Sequence, residues 1–534
     1  MHPADRPRSP FAGLLLVASL AVGAGNAWRF VGSVCDDAVI SFRSVENQAL
    51  GHGLVYNVDE RLETFTNLGF VWLLAALRAA GADLFAAAGV IGFAAAVGAL
   101  FATWWLAREA GLGRAAWAPV LFAAASTTLV GQAGSGLETT TCAFFTTLGL
   151  ARVLQECRAR GEGASRRHGA GALLLGCAVS MRPDSVCVLA GAIVCKAFLL
   201  DPSGRRRAIA ADAVVATAVV AALTGFRLAY YGDPLPNPVH AKVGADFAVL
   251  KSGLVYWFEW VRADFGMAVL AVGLALAFAA NGRTRLLAVL CAGWCAYVVL
   301  SGGDHMPYSR FFAPMLPAFA VALAAGMAPL FRGSDGVVGG RWRAAAGAVF
   351  VFALALQPAW SSVSRGNVPA KNMAHETFRR EIGGFFAAEA ARRGGRLVVA
   401  CNPVGYVGFF AGPGVHVVDM LGLCDAHVAR EGRRDTKLLV GHQVGDGAWV
   451  LAQRPDFVIL GTATPGDLWQ QRDGAALLRE IRAAGVEAWA KANGHTVLVS
   501  EREMLAADEL FAAYEPVEAP LPGGRSLHVL RRKA

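Results

Sequence analysis

Residues 84–107 read LFAAAGVIGFAAAVGALFATWWLA, with no charged side chain from Leu84 to Ala107. A helix needs about 20 mostly apolar residues to cross the hydrocarbon layer of a bilayer, and this stretch has them. Working outward, comparable runs lie near 11–30, 115–130, 139–154, 169–180, 185–200, 208–228, 266–280, 286–300, 312–330 and 344–360. Together they predict a polytopic α-helical membrane protein of about 11–13 spans. The run 68–80 is apolar but short, and reads as an interfacial or re-entrant helix.

Composition agrees with this reading. Of the 534 residues, 55% are hydrophobic and 17% charged, against roughly 25% charged in soluble proteins. The shortage is uneven. The 40 charged residues of 361–534 sit in less than half the length that holds the other 49. Residues 1–360 are therefore expected to form a transmembrane catalytic domain and 361–534 a soluble one. The tail contains no spanning run. Strand-like segments at Arg396–Ala400, Val415–Val418, Phe457–Leu460 and Thr496–Val499 alternate with helix-like ones such as Ala475–Ala488, which predicts α/β. A single soluble enzyme, a fibrous protein and a disordered chain are all excluded.

The net charge of +9 is mainly a topology signal. Arg6 and Arg8 precede the first run. Arg108 and Arg114, then Arg158, Arg160, Arg166 and Arg167, then Arg205–Arg207, then Arg283 and Arg285, then Arg332, Arg341 and Arg343 fill alternate connections. Basic loops mark the cytoplasmic face. The other face then receives 31–83, 131–138, 181–184, 229–265, 301–311 and the tail, so no nucleic-acid partner is expected.

The polar residues of that second face carry the chemistry. Asp36 and Asp37 follow the first span directly in Cys35-Asp36-Asp37-Ala38. Their bland role is a cap on a helix starting at Ala38, where the helix dipole favours negative charge. Their chemical role is general base: a carboxylate at a bilayer-edge cavity takes the proton of an acceptor hydroxyl. Successive helical residues point about 100° apart, so one aspartate acts while the other orients or binds. Two carboxylates also suit a divalent cation, although no motif demands a cofactor. The loop continues through Arg43, His52, Glu63 and Asn67, a mixture suited to a sugar-lined cleft. Glu138, Arg182, His240, Lys242, Asp304, His305 and Arg310 come from later loops on the same face. Arg offers a bidentate clamp for phosphate and Lys a point charge. There is no zinc-like Cys/His framework, Walker motif or dinucleotide fingerprint. Of the ten cysteines only Cys401 and Cys424 lie in the tail, and a bridge between them would suit an oxidising compartment.

Asp36-Asp37-Ala38…Arg43, Gly51-His52-Gly53…Tyr56-Asn57…Glu60-Arg61…Glu63…Thr66-Asn67, Arg182-Pro183-Asp184, Leu235-Pro236-Asn237…Ala241-Lys242 and Gly302-Gly303-Asp304…Arg310 resemble the outer loops of the C superfamily of polytopic glycosyltransferases. The similarity extends to the mycobacterial and corynebacterial terminal β-(1→2) arabinofuranosyltransferases, and into the tail at Val404-Gly405-Tyr406…Asp419…Gly422-Leu423. The resemblance implies a polyprenyl-phosphate sugar donor, decaprenyl-phosphate arabinofuranose in that group, and a glycan acceptor. It implies a catalytic aspartate at Asp36 or Asp37, of which Asp36 is favoured as the base and Asp37 as its neighbour. It also implies a bacterial plasma-membrane location with the active face and tail extracytoplasmic. Asn67-Leu68, Pro238-Val239-His240 and His305-Met306-Pro307-Tyr308 depart from the group's pattern, so another pentose or a hexose, or a protein or lipopolysaccharide acceptor, remains open. A transporter or lipid flippase would concentrate polar groups at mid-bilayer, whereas here they gather in loops.

Overall fold

Every apolar run that falls on described residues folds as helix. The structure, a computed structural model, describes residues 10–158, 168–200, 202–242, 247–331 and 368–534, with isolated positions between 347 and 356. Most of the span expected at 344–360, together with Arg6, Arg8, Arg160, Arg166, Arg167, Arg332, Arg341 and Arg343, lies outside the described residues. The chain packs as two compact units.

The first unit comprises 1–32, 88–223 and 250–366. Among the described residues of the whole chain, four helices are long and apolar enough to cross a membrane: Phe11–Trp28, Leu84–Glu109, Gly204–Tyr231 and Gly282–Leu300. A fifth span arises if Phe247–Asp264 and Val269–Ala279, bent by 91°, count as one. Most of 344–360 lies outside this count, and several of the other expected runs form short or broken helices. The run 115–130 breaks at Ser126, whose backbone turns extended and whose Oγ accepts the Thr128 N–H. Ala170–Met181 and Val186–Leu199 have 12 and 14 residues.

The stretch 229–265 corrects the sequence reading. It was expected as an outer loop, yet Phe247–Asp264 is an 18-residue helix. Its charged residues hid it. Asp264 is in fact buried, accepting from Ser126 Oγ at 3.1 Å and Trp260 Nε1 at 3.0 Å. A second buried ionic group joins three helices: Lys196 Nζ lies 2.5 Å from Glu156 and 2.6 Å from Asp212. The Gly171 and Gly169 amides occupy the remaining carboxylate oxygens.

The second unit comprises 33–87, 224–249 and 367–534. Its sheet contains β1 (Leu397–Cys401), β2 (Val415–Asp419), β5 (Phe457–Val458), β6 (Tyr514–Pro520) and β7 (Ser526–Arg532) in the order β2-β1-β5-β7-β6. β3 (Arg433–Arg434) and β4 (Val444–Gly445) form a separate antiparallel ladder. β1 pairs in parallel with β2 and β5, while β7 is antiparallel to both β5 and β6. Three of the four expected strands are present. Thr496–Val499 is not among them: Val499 opens the Val499–Ala506 helix, and the buried Glu501 carboxylate reaches back to the Leu498 N–H. The helix expected over Ala475–Ala488 is interrupted at Gly485 (φ +80°), giving Gly474–Ala484 and Val486–Asn493. Strand β6 was missed because Pro516 and Pro520 argue against a strand. An edge position tolerates them.

One core joins the 33–87 segment to the tail. Ile40 and Tyr56 are buried with Phe378, Ile382, Leu397, Val399, Val404 and Val407. Fully burying each such side chain contributes about 1.5–3 kcal/mol. Asn57 extends the sheet edge: its Nδ2 donates to Val417 O at 3.0 Å and its Oδ1 accepts the Val417 N–H at 3.1 Å.

Candidate functional site

Asp36 and Asp37 form the first turn of the Asp36–Ala49 helix, which starts two residues before the expected Ala38. Their side chains diverge as helical geometry requires. Asp36 Oδ2 accepts the Gly405 N–H at 3.0 Å and Oδ1 accepts the Tyr406 N–H at 2.9 Å. These amides open the Val404–Ala411 helix, so the carboxylate sits where that helix leaves N–H groups unpaired and positive. Arg379 Nη1 stands 3.8 Å from Asp36 Oδ1. Asp37 instead faces Lys242, at 4.0 Å.

Lys242 ends the short Asn237–Lys242 helix, and Asn237 fixes that helix in place. The Asn237 N–H donates to Glu63 O at 2.9 Å. Its Nδ2 donates to Gly422 O at 2.8 Å and Leu423 O at 3.0 Å. Asp419 holds this turn from inside, accepting the Leu421 and Cys424 amides. Burial pushes the Asp419 carboxyl up to about 7. His240 Nε2 lies 3.2 Å from Asp233, which also takes Arg430 at 2.6 Å.

The other expected residues of this unit divide by environment. Arg43 is 2% exposed. Its Nε donates to Tyr56 O at 2.8 Å, Nη2 to Val415 O at 2.7 Å and Nη1 to Gly408 O. Its guanidinium is thus taken up by main-chain carbonyls, a structural use. Glu63 pairs with Arg227 Nε at 2.8 Å, and burial raises its carboxyl to about 7. His52 is exposed, and its backbone N–H donates to Asn47 O. Asn67 is buried at the start of the Leu68–Ala79 helix, within 3.5 Å of Ser41 Oγ. Cys401 and Cys424 are buried free thiols.

The first unit holds the remaining candidates in two groups. Arg182 lies 2.7 Å from Asp184 and 3.4 Å from Glu138, with its guanidinium 4.8 Å above the Phe311 ring. Tyr297 Oη donates to Asp184 at 3.2 Å. Arg310 pairs with Asp304 at 2.6 Å, and His305 lies 3.6 Å from the same carboxylate.

The described residues contain no group of three or more His, Cys, Asp or Glu arranged to hold a metal ion. Asp36 and Asp37 turn to different partners, and those partners are amides and cationic side chains. This donor set does not fit a divalent cation. Sequence reading missed Arg379 and Glu376, which lie in a helix of mixed charge with no recognisable motif, and Arg227, inside an apolar helix. Only the isolation of Arg227 among apolar residues was a usable signal.

The fold has known counterparts. The apo oligosaccharyltransferase of Archaeoglobus fulgidus aligns with 98% of this chain and 74% of its own, at 10% identity and a TM-score of 0.54. The fold resembles that of this membrane enzyme. The archaeal enzyme AglB solved with an inhibitory peptide and a dolichol-phosphate gives 0.53 over 97% of this chain and 74% of its own, also at 10% identity. The form tethered to an acceptor peptide containing the NVT sequon gives 0.53 over 98% and 74%, again at 10%. With this fold and its apolar helices the chain is a multi-pass membrane protein. A family described as a domain of unknown function (DUF8728) matches residues 371–513. No curated protein matches the sequence.

Proposed function

We propose that this protein is a membrane glycosyltransferase that moves a sugar from a polyprenyl-phosphate carrier to an extracytoplasmic glycan acceptor at the plasma membrane of a bacterium. The observation that carries the reading is a fixed carboxylate pair beside cationic side chains, in a fold shared with enzymes of lipid-linked sugar transfer. One of those enzymes was solved with a dolichol-phosphate.

In this mechanism Asp36, oriented by the Gly405 and Tyr406 amides, takes the proton of the acceptor hydroxyl. The hydroxyl oxygen forms a bond to the anomeric carbon. The bond from that carbon to the carrier phosphate breaks, its electron pair leaving with the phosphate. Displacement inverts the anomeric centre. Asp37 and Lys242 orient the site, and Arg379 balances its charge. His240, Glu63 and Asn67, in the same unit, support substrate. The sequence motifs favour arabinofuranose as the donor sugar.

The test is transfer from synthetic polyprenyl-phosphate pentoses and hexoses to defined glycans. General-base catalysis contributes roughly 10²–10⁴-fold, so Asp36→Asn should lose activity on that scale and Asp37→Asn less. Unchanged transfer in both variants removes the proposed base. Transfer of a hexose but no pentose removes the arabinofuranose assignment alone.

A further inference from the structure

The Val368–Arg393 helix brings a third carboxyl to the aspartate pair. Glu376 and Arg379 lie one turn apart on it, with Glu376 Oε1 3.6 Å from Arg379 Nη1. The same Nη1 is 3.8 Å from Asp36 Oδ1, so one guanidinium nitrogen is shared by two carboxyl groups. The rest of Arg379 is held apart: Nη2 donates to Thr462 O at 2.9 Å. Glu376 Oε2 is buried and has no hydrogen-bond partner among the described residues. Arg379 Nε is in the same condition.

An unpartnered buried carboxylate oxygen is costly, and protonation relieves that cost. Two carboxylates near Glu376 act in the same direction, against the pull of Arg379. Asp36 and Asp37 face it from the Asp36–Ala49 helix, and Tyr406 from the Val404–Ala411 helix. Arg379, on its own helix, is the opposing cation.

We propose that Glu376 is a positioning residue of the transfer site, holding a proton so that the charge of Arg379 is left to Asp36. This rests on the glycosyl-transfer reading above. Burial, reinforced by Asp36 and Asp37 against the pull of Arg379, raises the Glu376 carboxyl to about 8. At neutral pH Asp36 and Asp37 are then matched by Arg379 and Lys242. When Glu376 loses its proton, a third negative charge enters the cluster and Arg379 is divided between two carboxylates. An anionic lipid phosphate then approaches a net negative site.

The activity readout is the pH profile of transfer. In the wild type, kcat/KM should fall toward about tenfold per pH unit above pH 8, carried by KM for the donor more than by kcat. Glu376→Gln keeps the shape of the side chain and cannot ionise, so this alkaline limb should vanish. The second readout needs no turnover. Infrared difference titration of the detergent-solubilised protein should show, in the wild type, one carboxylic C=O band lost between pH 7 and 9 that Glu376→Gln lacks, in addition to the loss that Asp419 and Glu63 give in both proteins. Arg379→Gln removes the shared cation and should move the loss of that band to higher pH. Superimposable infrared titrations of wild type and Glu376→Gln would overturn the proposal, as would an alkaline limb that persists in Glu376→Gln. The expected infrared difference with no transfer by any protein would uphold the proton on Glu376 and overturn the transfer reading instead.

Discussion

Replacing Arg43 separates a structural role from a substrate-binding one. The side chain is 2% exposed and donates to the carbonyls of Tyr56, Val415 and Gly408, with its guanidinium carbon 4.5 Å from the Tyr56 ring centroid. In Arg43→Ala, Tyr56 O still accepts from Asn47 Nδ2 at 2.9 Å. The Val415 and Gly408 carbonyls lose a charged donor. Leaving a buried acceptor unsatisfied costs about 1–3 kcal/mol, so the two together cost roughly 2–6 kcal/mol. Loss of the ring contact adds about 1–2 kcal/mol. Against a typical domain stability of about 5–15 kcal/mol, the variant should come close to unfolding the second unit. Arg43→Lys retains charge, but its compact ammonium cannot reproduce the planar fork, and it should fall between the two. The assay is urea unfolding of detergent-solubilised protein, followed by tryptophan fluorescence and limited proteolysis of the tail. If Arg43 served the donor phosphate instead, Arg43→Lys would raise KM at unchanged stability. That result, or a change in Arg43→Ala below about 0.5 kcal/mol, refutes the clamp.

Two further outcomes follow from the packing. A Cβ added at Gly405 would collide with the Asp36 carbonyl. Gly405→Ala should therefore cost about 1–3 kcal/mol of stability through overpacking and lose transfer through displacement of the two amides from Asp36. Wild-type turnover in that variant would separate the amides from catalysis. Lys196→Met leaves Glu156 and Asp212 buried without their shared cation. Breaking such a group costs about 3–5 kcal/mol, measurable as faster thermal inactivation in detergent, and adding Glu156→Gln and Asp212→Asn should restore part of it.

Apolar periodicity and turn chemistry carried most of the secondary structure. Runs such as 84–107 and 286–300 announce their helices because water rejects them in any other setting. The Val415–Asp419 strand is announced by its β-branched residues. Where local signals conflict with burial, the sequence misleads. The charges of Phe247–Asp264 suggest a loop because the partner that shelters Asp264, Ser126, is 138 residues distant. The prolines of β6 argue against a strand until an edge position makes them harmless.

For the site, the sequence by itself determined the chemical inventory: adjacent aspartates after a span, and cationic residues in loops assigned to one face. It also determined that the two aspartates must diverge, since helix geometry alone rotates them by about 100°. Only the tertiary structure decided which group each one meets. Asp36 is received by the amides of Gly405 and Tyr406, 369 and 370 residues along the chain. Arg43, chemically an excellent phosphate ligand, is bound to carbonyls. Glu376, an ordinary glutamate in the sequence, is placed where burial and two negative neighbours favour a proton. The physical reason is common to all three. A side chain's type fixes what it can do, but hydrogen-bond partners, burial and neighbouring charge fix what it does, and those come from segments that meet only when the chain folds.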